Sequence, residues 1–83
     1  MSFKQRRTDQ IMAQILELCK DGVGKTRIVY NLNLNFGTAD RYLGMLQEKG
    51  FIEVIQDTRP IYKTTPKGEC ALAVLHQFEA IIT

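Results

Sequence analysis

Apolar residues recur with a helical period in several segments of this chain, and the period is clearest between residues 34 and 50. The apolar positions of that segment are Phe36, Ala39, Tyr42, Leu43 and Leu46. Their i, i+3, i+4, i+7 spacing predicts a helix that packs on a core. Asn35 or Thr38 can cap its start. Gly50 ends it, because the residue after a helix favours a left-handed conformation that glycine adopts without strain.

The opposite face of this helix is polar and contains two glycines. Its residues are Gly37, Thr38, Asp40, Arg41, Gly44 and Glu48. Each glycine in a helix interior costs about 1 kcal/mol relative to alanine, so the pair indicates a face that another backbone approaches closely. We interpret the segment as a recognition helix presented to DNA.

Two further helices are predicted before this one. The first covers residues 8–20, with Thr8 as its N-cap. Its apolar positions are Ile11, Met12, Ile15, Leu16, Leu18 and Cys19. The second helix is shorter, over residues 27–32, with Thr26 as its cap. The asparagine-rich stretch 31–35 then predicts a tight turn into the recognition helix.

After residue 50 the apolar period changes from helical to strand-like. Residues 51–56 and 61–64 are rich in β-formers, and a turn cluster with Arg59 at its tip separates them. A two-stranded hairpin is only marginally stable by itself, so we expect this one to lie on the helices.

The last helix is predicted over residues 66–82, with Thr65 as its cap and Pro66 at its first position. Its apolar arc comprises Cys70, Ala71, Val74, Leu75, Phe78, Ile81 and Ile82. A helix of this length spans about 25 Å, so its far end extends to the limit of a small domain. Exposed apolar patches mark partner surfaces. We therefore predict dimerisation through this helix, with packing on the first helix as the alternative. The predicted dimer residues are Val74, Leu75, Phe78, Ile81 and Ile82.

Composition limits the classes of function. The chain has 83 residues, 45% hydrophobic and 24% charged, which predicts one small globular domain. No apolar run reaches the roughly 20 residues of a membrane span, and residues 1–8 do not form a signal peptide. We therefore expect a cytoplasmic protein without a membrane partner, and the interpretation of residues 34–50 as a DNA-recognition helix adds the expectation that it is nucleoid-associated.

The chemistry-bearing residues of the chain are few. Cys19 and Cys70 fall on predicted apolar helix faces and are expected to be buried thiols rather than a disulfide. With His76 as the one histidine, there is no zinc-ligand spacing. The sequence offers no nucleophile with a nearby base and no cluster of carboxylates, so we do not expect an enzyme. We predict no cofactor, no metal and no small-molecule ligand.

Residues 24–26, Gly-Lys-Thr, match the end of a phosphate-binding loop. The complete motif has another glycine five residues before Gly24 and a strand leading into the loop. Position 19 is a cysteine, and the preceding element is a predicted helix. This motif is therefore rejected.

The order helix, short helix, turn, helix, hairpin, helix is that of a winged helix-turn-helix domain. This predicts a mainly α (α+β) fold, with a three-helix core, a two-stranded wing and a C-terminal dimerisation helix. The sequence resembles the archaeal winged-helix family that includes the ten-kilodalton chromatin-associated proteins. The resemblance covers nearly the whole chain, as a basic arm (1–7) followed by the domain (8–83). The matching segments are 6–8, 26–30, 33–36, 42–53 and 62–68.

The resemblance implies a third helix in the major groove, a wing on the backbone or minor groove, and a last helix that pairs two subunits. The groove-facing residues would be Asn35, Gly37, Thr38 and Arg41, with Gly44 allowing close approach. The phosphate-binding residues would be Lys25, Arg27, Arg59 and Lys63. Arg6 and Arg7 in the arm either track phosphates or belong to a solvated tail. Two features differ from the chromatin-type relatives: the last helix is short, and the recognition face is less basic.

Charge is distributed unevenly along the chain, although its net value is only +2. The proposed docking face has eight basic and two acidic residues, which leaves three basic and seven acidic residues elsewhere. The eight basic residues are Lys4, Arg6, Arg7, Lys25, Arg27, Arg41, Arg59 and Lys63. Arg41 is the candidate for reading a base, because arginine pairs bidentately with guanine. The alternative is a solvated charge paired with Glu48 or Asp40.

We therefore expect a homodimeric, sequence-specific transcription regulator that binds double-stranded DNA. One alternative is a chromatin-type protein that coats DNA with little sequence preference. Another is a winged helix that serves as a protein-interaction module, in which the glycine-bearing face would contact protein.

Overall fold

The computed structural model describes residues 7–82, apart from the side chains at positions 79 and 82. Its helices are α1 (Thr8–Leu18), α2 (Lys25–Leu32), α3 (Phe36–Glu48) and α4 (Pro66–Ile82), with a 3-10 turn at Cys19–Asp21 after α1. Its strands are β1 (Ile52–Ile55) and β2 (Ile61–Thr64). This order confirms the predicted mainly α fold with a two-stranded wing.

The caps of the first two helices lie earlier in the chain than predicted. Arg7, not Thr8, caps α1, because the Arg7 backbone N–H donates to Gln10 Oε1 at 2.8 Å. Gly24, not Thr26, is the cap of α2, so Thr26 lies inside the helix. The chain is fixed just before this cap, where Val23 pairs with Tyr62 of β2, and the helix begins as soon as that pairing ends.

The α3 helix follows its sequence signals closely. The Asn35 side chain accepts a hydrogen bond from the Thr38 N–H at 2.7 Å, which makes Asn35 rather than Thr38 the cap. Gly50 follows the helix with φ of 78°, as predicted. The buried residues of α3 are Ala39, Tyr42, Leu43 and Leu46. Phe36 starts the apolar stripe but is 48% exposed, because no earlier turn of the helix covers it.

The wing is an antiparallel pair whose register runs from Ile52↔Thr64 to Ile55↔Ile61. The Val23 N–H donates to the Tyr62 carbonyl at 3.0 Å, and the Tyr62 N–H donates to the Val23 carbonyl at 2.8 Å. These two bonds attach the hairpin to the segment between α1 and α2, a long-range pairing that the sequence pattern did not indicate.

The start of α4 is held by Thr65 and Gly68. As predicted, Thr65 caps the helix: its hydroxyl accepts from the Gly68 N–H at 3.0 Å and donates to the Gly50 carbonyl at 2.7 Å. A Cβ on Gly68 would lie 2.1 Å from the Phe51 carbonyl oxygen. Only glycine therefore allows α4 to approach the start of the wing this closely.

With α4 held this closely, its apolar residues form two faces, and the inward face includes Leu72, which the predicted arc did not contain. Leu72 is buried, and Ala71 and Leu75 pack against the core beside it. Cys70 is exposed, so the expectation of a buried thiol there was wrong, whereas Cys19 is fully buried as expected. The apolar period showed that α4 is hydrophobic, but Gly68 determines which side faces the core.

One hydrophobic core joins all the helices and the first strand. Its buried residues are Ala13, Ile15, Leu16, Cys19, Val23, Ile28, Tyr42, Leu43, Leu46, Ile52 and Leu72. Thr64 is the buried polar residue, and its hydroxyl donates to the Leu16 carbonyl at 2.6 Å. Within residues 7–82, no helix combines the length and apolar character needed to cross a membrane.

Candidate nucleic-acid interface

The outward face of α3 carries the two glycines seen in the sequence. Gly37 and Gly44 are exposed, as are Asp40, Arg41 and Glu48, while Thr38 is half-buried. A Cβ on Gly44 would have no heavy atom within 4 Å, and one on Gly37 would meet only Asn35 Oδ1, at 3.5 Å. Neither position is therefore crowded by the rest of the fold. Because glycine has no side chain, no atom projects from this face of the helix at either position.

Arg41 projects from this face without a salt bridge to either predicted acid. Its guanidinium carbon lies 5.6 Å from the centre of the Tyr42 ring, in the range of a cation–π contact. Among the described residues, neither Glu48 nor Asp40 forms an ion pair with it. Arg41 is thus exposed and able to meet an external acceptor.

Lys25 and Asp40 form an ion pair that joins the start of α2 to α3. The hydrogen bond from the ammonium to Asp40 is the main reason that the pKa of Lys25 is raised. Lys25 was predicted to meet phosphate, but here an acid of the recognition face neutralises it. In turn, Lys25 compensates the negative charge of Asp40 within the fold.

A cleft of about 640 Å³ opens between the start of α2, the start of α3 and the wing tip. The cations along it are Lys25, Arg27 and Arg59, and its aromatic residues are Phe36 and Tyr62. Gly24, the cap of α2, and the first-turn residues Lys25, Thr26 and Arg27 line the same wall of the cleft. Helix N-termini and arginines both favour phosphate oxygens. The structure therefore brings three of the predicted phosphate-binding residues together.

Of the other predicted phosphate-binding residues, Lys63 and Arg7 do not line this cleft. Lys63 is exposed on β2 and stands opposite Glu53 in the strand register. Arg7 pairs with Asp9, with Nε at 3.3 Å from Oδ1. Arg6 and Lys4 fall outside the described residues.

An apolar line runs along the outer side of α4. Its exposed residues are Val74 (63%), Phe78 (48%) and Ile81 (82%), at the i, i+4, i+7 spacing of one helix face. Leu75 is half-buried and packs on the core instead. The alternative that the end of the helix packs on α1 is thus wrong for Phe78 and Ile81. Ile82 belongs to α4, but its side chain is not described.

An apolar pocket adjoins this line. It measures about 270 Å³ and lies among α1, the end of α3 and α4. The residues around it are Met12, Leu16, Leu46, Phe51, Ala71, Val74 and Leu75. The exposed line and the pocket together form a continuous apolar surface of the kind that marks partner interfaces.

Two further observations concern the side chains that could bind a metal ion or act as a nucleophile. Within residues 7–82, no three His, Cys, Asp or Glu side chains are grouped as metal ligands. Burial raises the pKa of the Cys19 thiol to about 12, so this sulfur stays protonated and unreactive near neutral pH.

Sequence reasoning missed the exposed aromatic residues near α3. Phe36 was grouped with the core stripe, and Tyr30 on α2, which is 75% exposed, was not singled out. Periodicity alone could not separate Phe36 from its stripe. The available signal was that Phe36 is the first residue of the helix. A residue at this position has no preceding helical turn to cover its side chain.

Comparison with known proteins gives one family and several similar structures. Residues 5–83 match the family model described as winged helix-turn-helix. The DNA-binding protein Sso10a-2 from Sulfolobus solfataricus is 32% identical, with a TM-score of 0.85 over 92% of this chain and 81% of that protein. No curated protein sequence matches the chain.

Two transcriptional regulators share the fold at lower identity. BldR from Sulfolobus solfataricus is 17% identical, with a TM-score of 0.79 over 87% of this chain. MarR from Escherichia coli is 19% identical, with a TM-score of 0.72 over 88% of this chain. This chain spans 56% and 57% of their lengths, respectively, so the likeness concerns the winged-helix part.

Proposed function

Because the chain belongs to the winged helix-turn-helix family, we propose that it is a sequence-specific DNA-binding transcriptional regulator that acts as a homodimer. In this proposal α3 enters the major groove, the wing contacts the backbone and α4 pairs the two subunits. The relative with 32% identity is described as a DNA-binding protein, which supports duplex DNA as the partner.

The observation that carries the proposal is the open space above Gly44. Glycine costs about 1 kcal/mol relative to alanine inside a helix, and nothing within 4 Å of a Cβ there would prevent a side chain. The fold therefore gains nothing from glycine at this position. A helix bound in the major groove does gain from it, because a low surface lets the backbone approach the base edges.

The charged residues around α3 suit this docking. Arg27 and Arg59 are exposed at the edge of the cleft, and Arg41 projects from the helix between the two glycines. Arginine on phosphate holds the protein in register, whereas arginine on a guanine edge reads sequence. We assign phosphate contacts to Arg27 and Arg59 and a base contact to Arg41.

The presence of Asp40 on the same face favours a regulator over a protein that coats DNA. Asp40 holds Lys25 in an ion pair, so this lysine is not free to bind a phosphate. Non-specific coating depends almost entirely on cation–phosphate attraction. The outward face of α3, where Asp40 occupies Lys25, is therefore poorly suited to non-specific coating of DNA and better suited to selective contacts.

The homodimer is supported by the exposed line Val74, Phe78 and Ile81 together with the adjoining apolar pocket. A two-fold dimer uses the same patch on both subunits. Its two copies of α3 would then face half-sites about one helical turn of DNA apart. The preferred site is accordingly expected to be a palindrome.

Selection of bound sequences from random duplexes, followed by salt titration, tests this function. We expect a palindromic site preferred by about a thousandfold or more over other DNA, with affinity that falls steeply as salt rises. Tight binding without enrichment would indicate the chromatin-type role. Failure to bind any duplex at low salt would indicate a protein-interaction module.

A further inference from the structure

We propose that Phe36 is a specificity-determining residue that reads the C5-methyl group of a thymine in the major groove. The inference rests on the proposed function and extends it by naming one base and the residue that recognises it. It starts from the one aromatic side chain that α3 leaves uncovered at its leading end.

Phe36 differs from the rest of its apolar stripe in exposure. The four other members of the stripe are at most 7% exposed, whereas Phe36 is 48% exposed. It is the first residue of α3 and stands at the cleft with Arg27 and Arg59. About half of this large apolar surface is therefore available for a contact from outside the fold.

The position of Phe36 matches the part of a recognition helix that reads bases. In helix-turn-helix proteins, the N-terminal residues of this helix meet the base edges. The neighbouring residue Gly37 has no side chain to hold the helix away from the groove. Arg27 and Arg59, which line the same cleft as the ring, are the proposed phosphate contacts, so phosphates held there would place the ring near the edge of the groove.

Thymine is the base whose chemistry fits a phenyl ring. In the major groove, adenine, guanine and cytosine present hydrogen-bond donors and acceptors, whereas thymine adds a methyl group. A phenyl ring can neither donate nor accept a conventional hydrogen bond. Placing it against one of the other bases would exclude water from the polar groups of that base without replacing the lost hydrogen bonds. Contact with the methyl group removes apolar surface from water on both partners.

Deoxyuridine tests this contact directly, because it differs from thymidine only by the missing methyl group. Binding is measured on the selected duplex with each thymine replaced in turn by deoxyuridine. Wild-type protein is expected to lose about fourfold in affinity at one thymine, the effect of one buried methyl group. Phe36→Ala is expected to bind the thymine duplex more weakly and to lose this sensitivity, whereas Phe36→Leu retains part of it.

Tyr30→Ala and Arg59→Gln are the matched controls. Tyr30 is an even more exposed aromatic residue, but it lies outside the cleft, so its variant should keep the deoxyuridine effect. Arg59→Gln should reduce the salt dependence by about one contact and also keep the effect. Thermal unfolding of each variant shows whether it remains folded, and Phe36→Leu provides the readout if Phe36→Ala unfolds.

The inference is overturned if no deoxyuridine substitution weakens wild-type binding, or if Phe36→Ala keeps the same sensitivity. Duplex binding without any preferred sequence also overturns it while leaving DNA binding intact. If no duplex is bound, the proposed function fails together with it.

Discussion

Gly44 and Gly68 both lie in helices, yet a methyl group would meet different surroundings at the two positions. At Gly44 it would enter open space, and at Gly68 it would lie 2.1 Å from the Phe51 carbonyl oxygen. The packing of α4 on the start of the wing explains the second glycine, whereas nothing within the fold explains the first, which we proposed to leave room for DNA. Under the proposed function, the same residue type serves binding in one helix and folding in the other.

Substitution by alanine should therefore have opposite effects on stability. Gly44→Ala is expected to raise the free energy of unfolding by about 1 kcal/mol, because it adds helix propensity without a clash. Gly68→Ala should lower it by about 3 kcal/mol, since a backbone oxygen must move. Urea unfolding measures both changes.

DNA binding provides the second half of this test. Gly44→Ala should bind the selected duplex more weakly despite its greater stability. The added methyl group would occupy the space that lets the backbone of α3 approach the base edges. Unchanged affinity in a stabilised Gly44→Ala variant would mean that this face does not lie against DNA.

Helix α4 shows at the element scale how one apolar arc can serve two surfaces. Gly68, Leu72 and Leu75 turn toward the core, while Val74 and Phe78 turn outward. The inner face attaches the helix to the domain. The outer face remains available for a second subunit, and burying it on both copies would remove the largest exposed apolar surface of α4 from water.

Polar substitution on the outer face should separate the subunits without unfolding them. The double variant Phe78→Gln, Ile81→Gln is expected to sediment as a monomer and to bind the palindrome more weakly, because the two half-sites are no longer linked. Ala80→Gln, on another exposed side of α4, is the control and should remain a dimer. A dimeric double variant would locate the interface elsewhere.

The sequence predicted those elements whose signals are local. Asn35 and Gly50 mark the ends of α3, and Thr65 marks the start of α4. The start of α2 was misjudged because it depends on the pairing of Val23 with Tyr62, which no local pattern encodes. The two faces of α4 and the Lys25–Asp40 pair were also not predicted, because they form only when distant segments of the chain meet.

At the scale of the whole molecule, the candidate site extends over several elements that the fold brings together. Arg27 comes from α2, Arg41 from α3 and Arg59 from the wing, and Lys25 is restrained by Asp40. The sequence suggested these cations as candidates, and the structure places Lys25, Arg27 and Arg59 along one cleft. The sequence could not predict that Phe36 would share a cleft with two of these arginines, since that depends on how the wing is fixed to the segment before α2.

Paired binding measurements on Arg41→Ala and Arg59→Ala test the central claim, that the outward face of α3 lies in the major groove. With the selected duplex and its single-base variants, Arg41→Ala should lose about 1–3 kcal/mol of specific binding and lose preference at one base pair. Arg59→Ala should weaken binding to all sequences alike and lower the salt slope by about one. If both variants bind every duplex as the parent does, the docking face has been wrongly assigned.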